Sequence, residues 1–157
     1  MSASGPNCQS CGALLPERKP PPPMNAPLED LRRWSLELRS QDIDETEFLS
    51  RIEERRAHYN RVLEALESLE IPQDMEAEVQ EELLAGRRGL QGFLEALGAL
   101  SEWEDSRAPE DLERALALAT QANSLLNQAL SLNWRTFQTY QEAAEEFLAQ
   151  VGYEGSP

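Results

Sequence analysis

The sequence predicts an all-α protein, an antiparallel bundle of three to four helices with coiled-coil-like packing behind a disordered N-terminal tail. From Leu28 onward the apolar residues recur with helical spacing, and Pro72 and Pro109 interrupt the pattern. The strongest evidence is a long heptad pattern, which requires packing partners along one side of a helix. Its positions are Leu112, Leu116, Ala119, Asn123, Leu126, Leu130, Asn133, Phe137, Tyr140, Ala144, Phe147 and Val151.

Composition divides the chain into a tail, residues 1–27, and a helical domain, residues 28–153. The tail contains both cysteines and seven of the ten prolines, and four consecutive prolines favour an extended polyproline II spacer. The first predicted helix spans about residues 28–40 and has Pro27 near its start, where a proline is well tolerated. A helix of this length is not stable alone and has to pack against the others.

The second predicted helix spans about residues 44–70, and Asp44 and Glu47 have capping-box spacing at its start. Its core positions are Phe48, Ile52, Arg55, Tyr59, Val62, Leu66 and Leu69. The third spans about residues 74–105, and its core positions are Val79, Leu83, Gly86, Leu90, Phe93, Leu97 and Leu100. Four glycines weaken it by up to about 1 kcal/mol each relative to alanine. These glycines are Gly86, Gly89, Gly92 and Gly98. Either a kink or the close approach of another helix would explain them.

The fourth predicted helix spans about residues 109–151. Short connections force successive long helices to run antiparallel, so helices two, three and four form an up-down-up bundle, and helix one covers part of its open groove. At 1.5 Å per residue, the fourth helix is longer than its neighbours by more than about 10 Å. We therefore expect its C-terminal end to project from the bundle.

The projecting end is rich in apolar side chains that would bind a protein partner. The candidates are Trp134, Phe137, Tyr140, Phe147 and Val151. Large apolar patches are uncommon on monomers, which favours a homodimer or a complex with another protein, although helix one or the tail could also fold back over them. Asn123 and Asn133, at heptad positions, would either fix the register of a dimer or bond to water or a neighbouring side chain.

The only motif with possible chemistry lies in the tail, where Cys8 and Cys11 are three positions apart within residues 7–16, NCQSCGALLP. This segment resembles the first CxxCG knuckle of the small zinc ribbons found at the N-termini of many bacterial proteins. The resemblance implies that both thiolates bind Zn²⁺. The second knuckle of that family is missing, so two chains would have to share one ion. An oxidisable dithiol or an inert tail are the alternatives.

Charge and hydropathy exclude several classes of partner. A net charge of −15 and a pI near 4.4 repel nucleic-acid phosphates and anionic lipid headgroups, so we expect neither nucleic acid nor membrane as a partner. No run of 18 apolar residues and no apolar secretory segment is present, which favours the cytoplasm. Arginines greatly outnumber the single lysine, Lys19, as in GC-rich coding sequences, which favours a bacterial source.

No catalytic motif is present in the sequence. His58 is the only histidine, and there is no phosphate-binding glycine loop, hydrolase elbow or zinc-protease motif, so we expect no enzyme activity. The predicted function is a non-catalytic protein-interaction module, a scaffold or adaptor that could form a homodimer. The alternative is a metal- or redox-responsive regulator that uses Cys8 and Cys11. A third interpretation takes the acidic runs as a mimic of nucleic-acid phosphates.

Overall fold

A computed structural model describes residues 19–71, 73–74 and 76–150. The side chains of residues 76, 78, 140, 141 and 144–150 are not described. This part of the chain contains four helices and no strand, which confirms the all-α prediction. The helices are α1 (Ala26–Arg39), α2 (Glu45–Glu67), α3 (Glu76–Ser106) and α4 (Pro109–Gln150).

The ends of α2 illustrate how its boundaries are set. At its start, the Asp44 carboxylate accepts a hydrogen bond from the Glu47 backbone N–H at 2.8 Å, as the capping-box spacing predicted. At its end, the Ser68 N–H bonds to the Glu64 carbonyl and closes the last turn, three residues before the predicted boundary. Leu69 therefore lies outside the helix and is 55% exposed, so its prediction as a core residue was wrong.

The four helices form a ring in the order α1, α2, α3, α4, since α1 contacts both α2 and α4 while α3 contacts α2 and α4. Contacts between aromatic side chains give the relative direction of α2 and α3. Phe48 near the start of α2 meets Trp103 near the end of α3, with ring centroids 5.9 Å apart. Farther along α2, Tyr59 meets Phe93 at 5.5 Å. The two helices are therefore antiparallel, as predicted.

The core runs through the centre of this ring. Its largest fully buried side chains are Leu31, Phe48, Ile52, Phe93, Leu97 and Leu100. Five of these six lie on α2 and α3 at positions that the helical spacing predicted, and Leu31 is the contribution of α1. From α4, the most deeply buried residues are small, namely Ala115, Ala119 and Ala122. Small residues on α4 indicate that its backbone lies close to its neighbours.

Glycines on α3 allow this close approach. An ideal Cβ at Gly92 would lie 3.0 Å from the Ala122 Cβ, and one at Gly89 would lie 2.7 Å from the Leu126 Cδ2. Both distances are shorter than ordinary van der Waals contact. Of the two explanations for these glycines, close packing against another helix is therefore the one that applies at Gly89 and Gly92.

Two glycines of α3 provide a matched test of this packing. At Gly98 no atom lies within 4 Å of an added Cβ, so Gly98→Ala should raise the free energy of unfolding by about 0.5–1 kcal/mol through helix propensity alone. At Gly92 the same methyl meets the Ala122 Cβ, which is fixed to the α4 backbone and cannot rotate away. We expect Gly92→Ala to be less stable than Gly98→Ala by about 1 kcal/mol or more in urea unfolding. Equal stabilisation by the two substitutions would contradict the close packing.

Arg55 is one of two arginines of α2 that form ion pairs with α1. The Arg55 guanidinium donates to the Asp30 carboxylate at 2.7 Å and lies 5.1 Å from the centre of the Trp34 ring and 5.8 Å from that of Tyr59. Burial raises the pKa of the Tyr59 phenol, and the nearby guanidinium partly opposes this rise. Arg55, the one charge among the predicted core positions of α2, is thus accommodated by an ion pair and two aromatic faces.

Candidate protein-interaction surface

The start of α1 is fastened to the middle of α4 by two asparagines. Asn127 accepts a hydrogen bond from the Met24 backbone N–H at 2.6 Å, and its side-chain amide donates to the Met24 carbonyl at 3.1 Å. The Asn123 amide donates to the Asn25 side-chain oxygen at 3.1 Å. These bonds fix how far α1 extends along α4. Beyond Asn127, α4 continues for about 35 Å to Gln150 without α1 beside it.

The pairing of α3 with α4 shows how far α4 projects. The Asn133 amide donates to the Glu82 carboxylate at 2.7 Å. Because the helices are antiparallel, Glu76 at the start of α3 lies level with about residue 139 of α4. The last eleven residues of α4 therefore extend beyond α3 by about 16 Å. We call residues 76–88 of α3 and 127–150 of α4 the hairpin end.

An apolar cleft opens at the hairpin end, directly beyond the start of α1. We call this cleft of about 230 Å³ the hairpin groove. It lies between α2, α3 and α4, and Met24 forms its wall on the α1 side. It is lined by Met24, Leu66, Glu82, Leu83, Gly86, Leu126, Ala129, Leu130 and Asn133. Most of these side chains are apolar, so the groove continues the bundle core into a region that α1 does not cover.

One carboxylate is only half satisfied in the groove. Glu82 Oε1 accepts the hydrogen bond from Asn133, whereas Glu82 Oε2 is buried and has no hydrogen-bond partner in the described part of the chain. A buried acceptor without a donor costs about 1–3 kcal/mol, and more when it is charged. A molecule bound in the groove could offset this cost by supplying an N–H.

Further apolar side chains reach the surface at the hairpin end. Leu84 is 44% exposed and Phe137 is 39% exposed. Phe137 stacks against the half-buried Trp134, with ring centroids 5.9 Å apart and an angle of 26° between the rings. Aromatic side chains of this kind are enriched at the centres of protein interfaces.

The predicted partner-binding residues are only partly described. Trp134 and Phe137 lie together at the hairpin end, on the projecting part of α4. Tyr140 and Phe147 belong to α4, but their side chains are not among those described. The remaining predicted site residues, Val151, Cys8 and Cys11, lie outside the described residues.

Sequence reasoning did not identify the hairpin groove. Leu66, Leu83, Leu126 and Leu130 occupy predicted core positions, and in the structure each is only partly buried. The available signal was the difference in length between the helices, because a 14-residue α1 cannot cover a 42-residue α4. The residue that marks the boundary, Asn127, was not among the predicted site residues.

Comparisons with protein-family models, curated proteins and solved structures found no match to this chain. No helix in the described ranges is both long enough and apolar enough to cross a membrane. Among the same residues, no three His, Cys, Asp or Glu side chains are grouped so that they could hold a metal ion.

Proposed function

We propose that the protein is a non-catalytic interaction module, a cytoplasmic scaffold or adaptor that binds another protein through the hairpin end. The observation that carries this proposal is the apolar surface beyond the start of α1, which α1 does not cover. It consists of the hairpin groove together with Leu84, Trp134 and Phe137. Apolar patches with aromatic residues and a polar rim mark protein-binding sites. Most of this surface lies on α3 and α4, which pack against each other.

Two exposed leucines allow a matched test of the site. Leu84 lies on the hairpin end, whereas Leu36 is 63% exposed on α1, about 15 Å along that helix from its start at Ala26. The full chain should capture a partner from cell extract, and Leu84→Glu should weaken binding of the purified partner about tenfold or more, since a buried carboxylate without a partner is costly. Leu36→Glu adds the same charge and should leave the affinity unchanged. Equal losses in both variants would argue against the hairpin end.

The partner is either a different protein or a second copy of this chain. Light scattering of the purified full chain distinguishes the two, because a homodimer through the hairpin end would have twice the monomer mass and would dissociate in Leu84→Glu. A monomer that binds a different protein would instead identify an adaptor.

The alternative proposal is a regulator in which Cys8 and Cys11 bind metal or form a redox pair. It is supported by the CxxCG spacing, which suits two thiolate ligands of Zn²⁺. The double variant Cys8→Ser/Cys11→Ser separates the two proposals in the same binding assay. Unchanged metal content, mass and partner affinity would remove the regulator and retain the interaction module.

A further inference from the structure

We propose that residues 13–16 of the chain, Ala-Leu-Leu-Pro, cover the hairpin groove in the free protein and are displaced when a partner binds. We call residues 13–16 the leucine segment. The inference rests on the proposed function, because it assigns an internal competitor to the same surface. Three properties of the chain support it: the point at which the tail meets the groove, the distribution of charge, and the unsatisfied carboxylate of Glu82.

The tail meets the bundle at the rim of the groove. Met24 is held by Asn127 and also lines the groove, so the residues before it start from the rim. Leu15 is nine residues upstream, which allows a reach of about 28 Å in a polyproline II conformation. The far wall at Asn133 is only about 9 Å along α4 from Asn127. The leucine segment can therefore reach the groove, and its attachment to the same chain makes this binding intramolecular.

The distribution of charge favours the tail, rather than a second copy of the chain, as the segment that occupies the hairpin groove. Residues 1–19 contain Arg18 and Lys19 but a single acidic residue, Glu17, so this segment is slightly basic. The rest of the chain carries the whole excess of acidic residues, and the full chain has a net charge of −15. A second copy would bring an equally acidic body to the hairpin end, whereas the tail brings the opposite sign.

The chemistry of the groove matches the tail as well. Leu14 and Leu15 are the only leucines in the tail, and they are apolar side chains of the size that lines the groove. Arg18 follows three residues later and can donate to Glu82 Oε2, which is buried and has no hydrogen-bond partner among the described residues. A single short segment thus supplies both the apolar side chains and the hydrogen-bond donor.

The cysteines of the tail provide the label for a direct test. In full-length Cys8→Ser protein, Cys11 is the only remaining thiol and can carry a nitroxide three residues from Leu14. In NMR spectra, we expect the backbone amide signals of Leu83, Gly86 and Leu130 to lose more than half of their height, relative to the spectrum recorded after the nitroxide is reduced. Signals of α1 around Leu36 should keep their full height. Undiminished signals at the groove would overturn the proposal.

Three further samples establish the origin of the effect. In the first sample, nitroxide-labelled chains without isotope are mixed with isotope-labelled chains without nitroxide, and the groove signals should keep their height. A loss of height in this mixture would overturn the proposal, because it would show that the groove binds a second copy of the chain. Adding Leu14→Ser/Leu15→Ser to the labelled chain should restore the groove signals, whereas Gln9→Ser, a polar substitution in the same tail, should not. Broadening that persists without Leu14 and Leu15 would also overturn it.

Binding data keep this proposal distinct from the proposed function. If the leucine segment competes with a partner, Leu14→Ser/Leu15→Ser should bind that partner several-fold more tightly, and Gln9→Ser should bind it as the unmodified chain does. A partner that depends on Leu84, together with undiminished groove signals, would refute only the covering segment. Groove broadening without any Leu84-dependent partner would refute only the interaction module.

Discussion

Replacing Phe93 with alanine is expected to lower the free energy of unfolding by about 3–5 kcal/mol. Phe93 is fully buried on α3, and its ring meets that of Tyr59 on α2. The substitution removes apolar area from the core and leaves a cavity that the surrounding rigid helices can fill only partly. For a domain of this size the loss is a large fraction of the total stability. Urea unfolding followed by circular dichroism measures it.

Phe137→Ala is the matched control, since it removes the same atoms from a side chain that is 39% exposed. We expect a loss of roughly 1 kcal/mol or less, because part of that ring is already in water. The contrast separates the contribution of burial from that of the residue type. If both variants lost the same amount, Phe93 would not lie at the centre of the core.

Helical periodicity was sufficient to predict the core of α2 and α3. Phe48, Ile52 and Tyr59 on α2 were predicted from spacing alone and are buried. On α3 the same holds for Leu90 and Phe93. Spacing succeeds for these residues because, where they lie, each of the two helices has a neighbouring helix on both sides. It failed at Leu69, where local capping at Ser68 ended α2 before the apolar pattern ended.

The interaction surface could be predicted only in part. The projecting end of α4 follows from helix lengths, and the stacked pair Trp134 and Phe137 lies on it. The groove does not follow from periodicity, because the exposure of Leu130 depends on where α1 begins. That point is set by hydrogen bonds between asparagines of α4 and residues 24–25, which are 98 and 103 positions apart in the sequence.

The heptad asparagines show the same limit. Spacing allowed Asn123 either to fix the register of a dimer or to bond to a neighbouring side chain, and in the structure it bonds to Asn25 of the same chain. Asn133 bonds to Glu82 on α3. Both side-chain amides therefore donate within one chain. A dimer, where it forms, would have to be specified by residues other than these two donors.

Enlarging Ala119 to leucine is expected to lower the free energy of unfolding by about 1–3 kcal/mol. Ala119 is fully buried on α4, in the row of small residues that faces the neighbouring helices. The glycines of α3 bring the two backbones so close that an added Cβ at Gly92 would lie 3.0 Å from Ala122, one turn from Ala119. Three extra carbons can then be accommodated only if α3 and α4 move apart or their side chains leave preferred rotamers.

Ala117 provides the control because it is exposed on the same helix, two residues from Ala119. Ala117→Leu adds the same atoms at similar helix propensity, so we expect a change within about 0.5 kcal/mol. Thermal and urea unfolding of the two variants measures the difference. If Ala119→Leu were as stable as Ala117→Leu, the α3–α4 pair would have room for larger residues, and the buried alanines and the glycines opposite them would not reflect tight packing. A large loss confined to Ala119→Leu would instead show that the separation of these two helices is fixed by their smallest side chains.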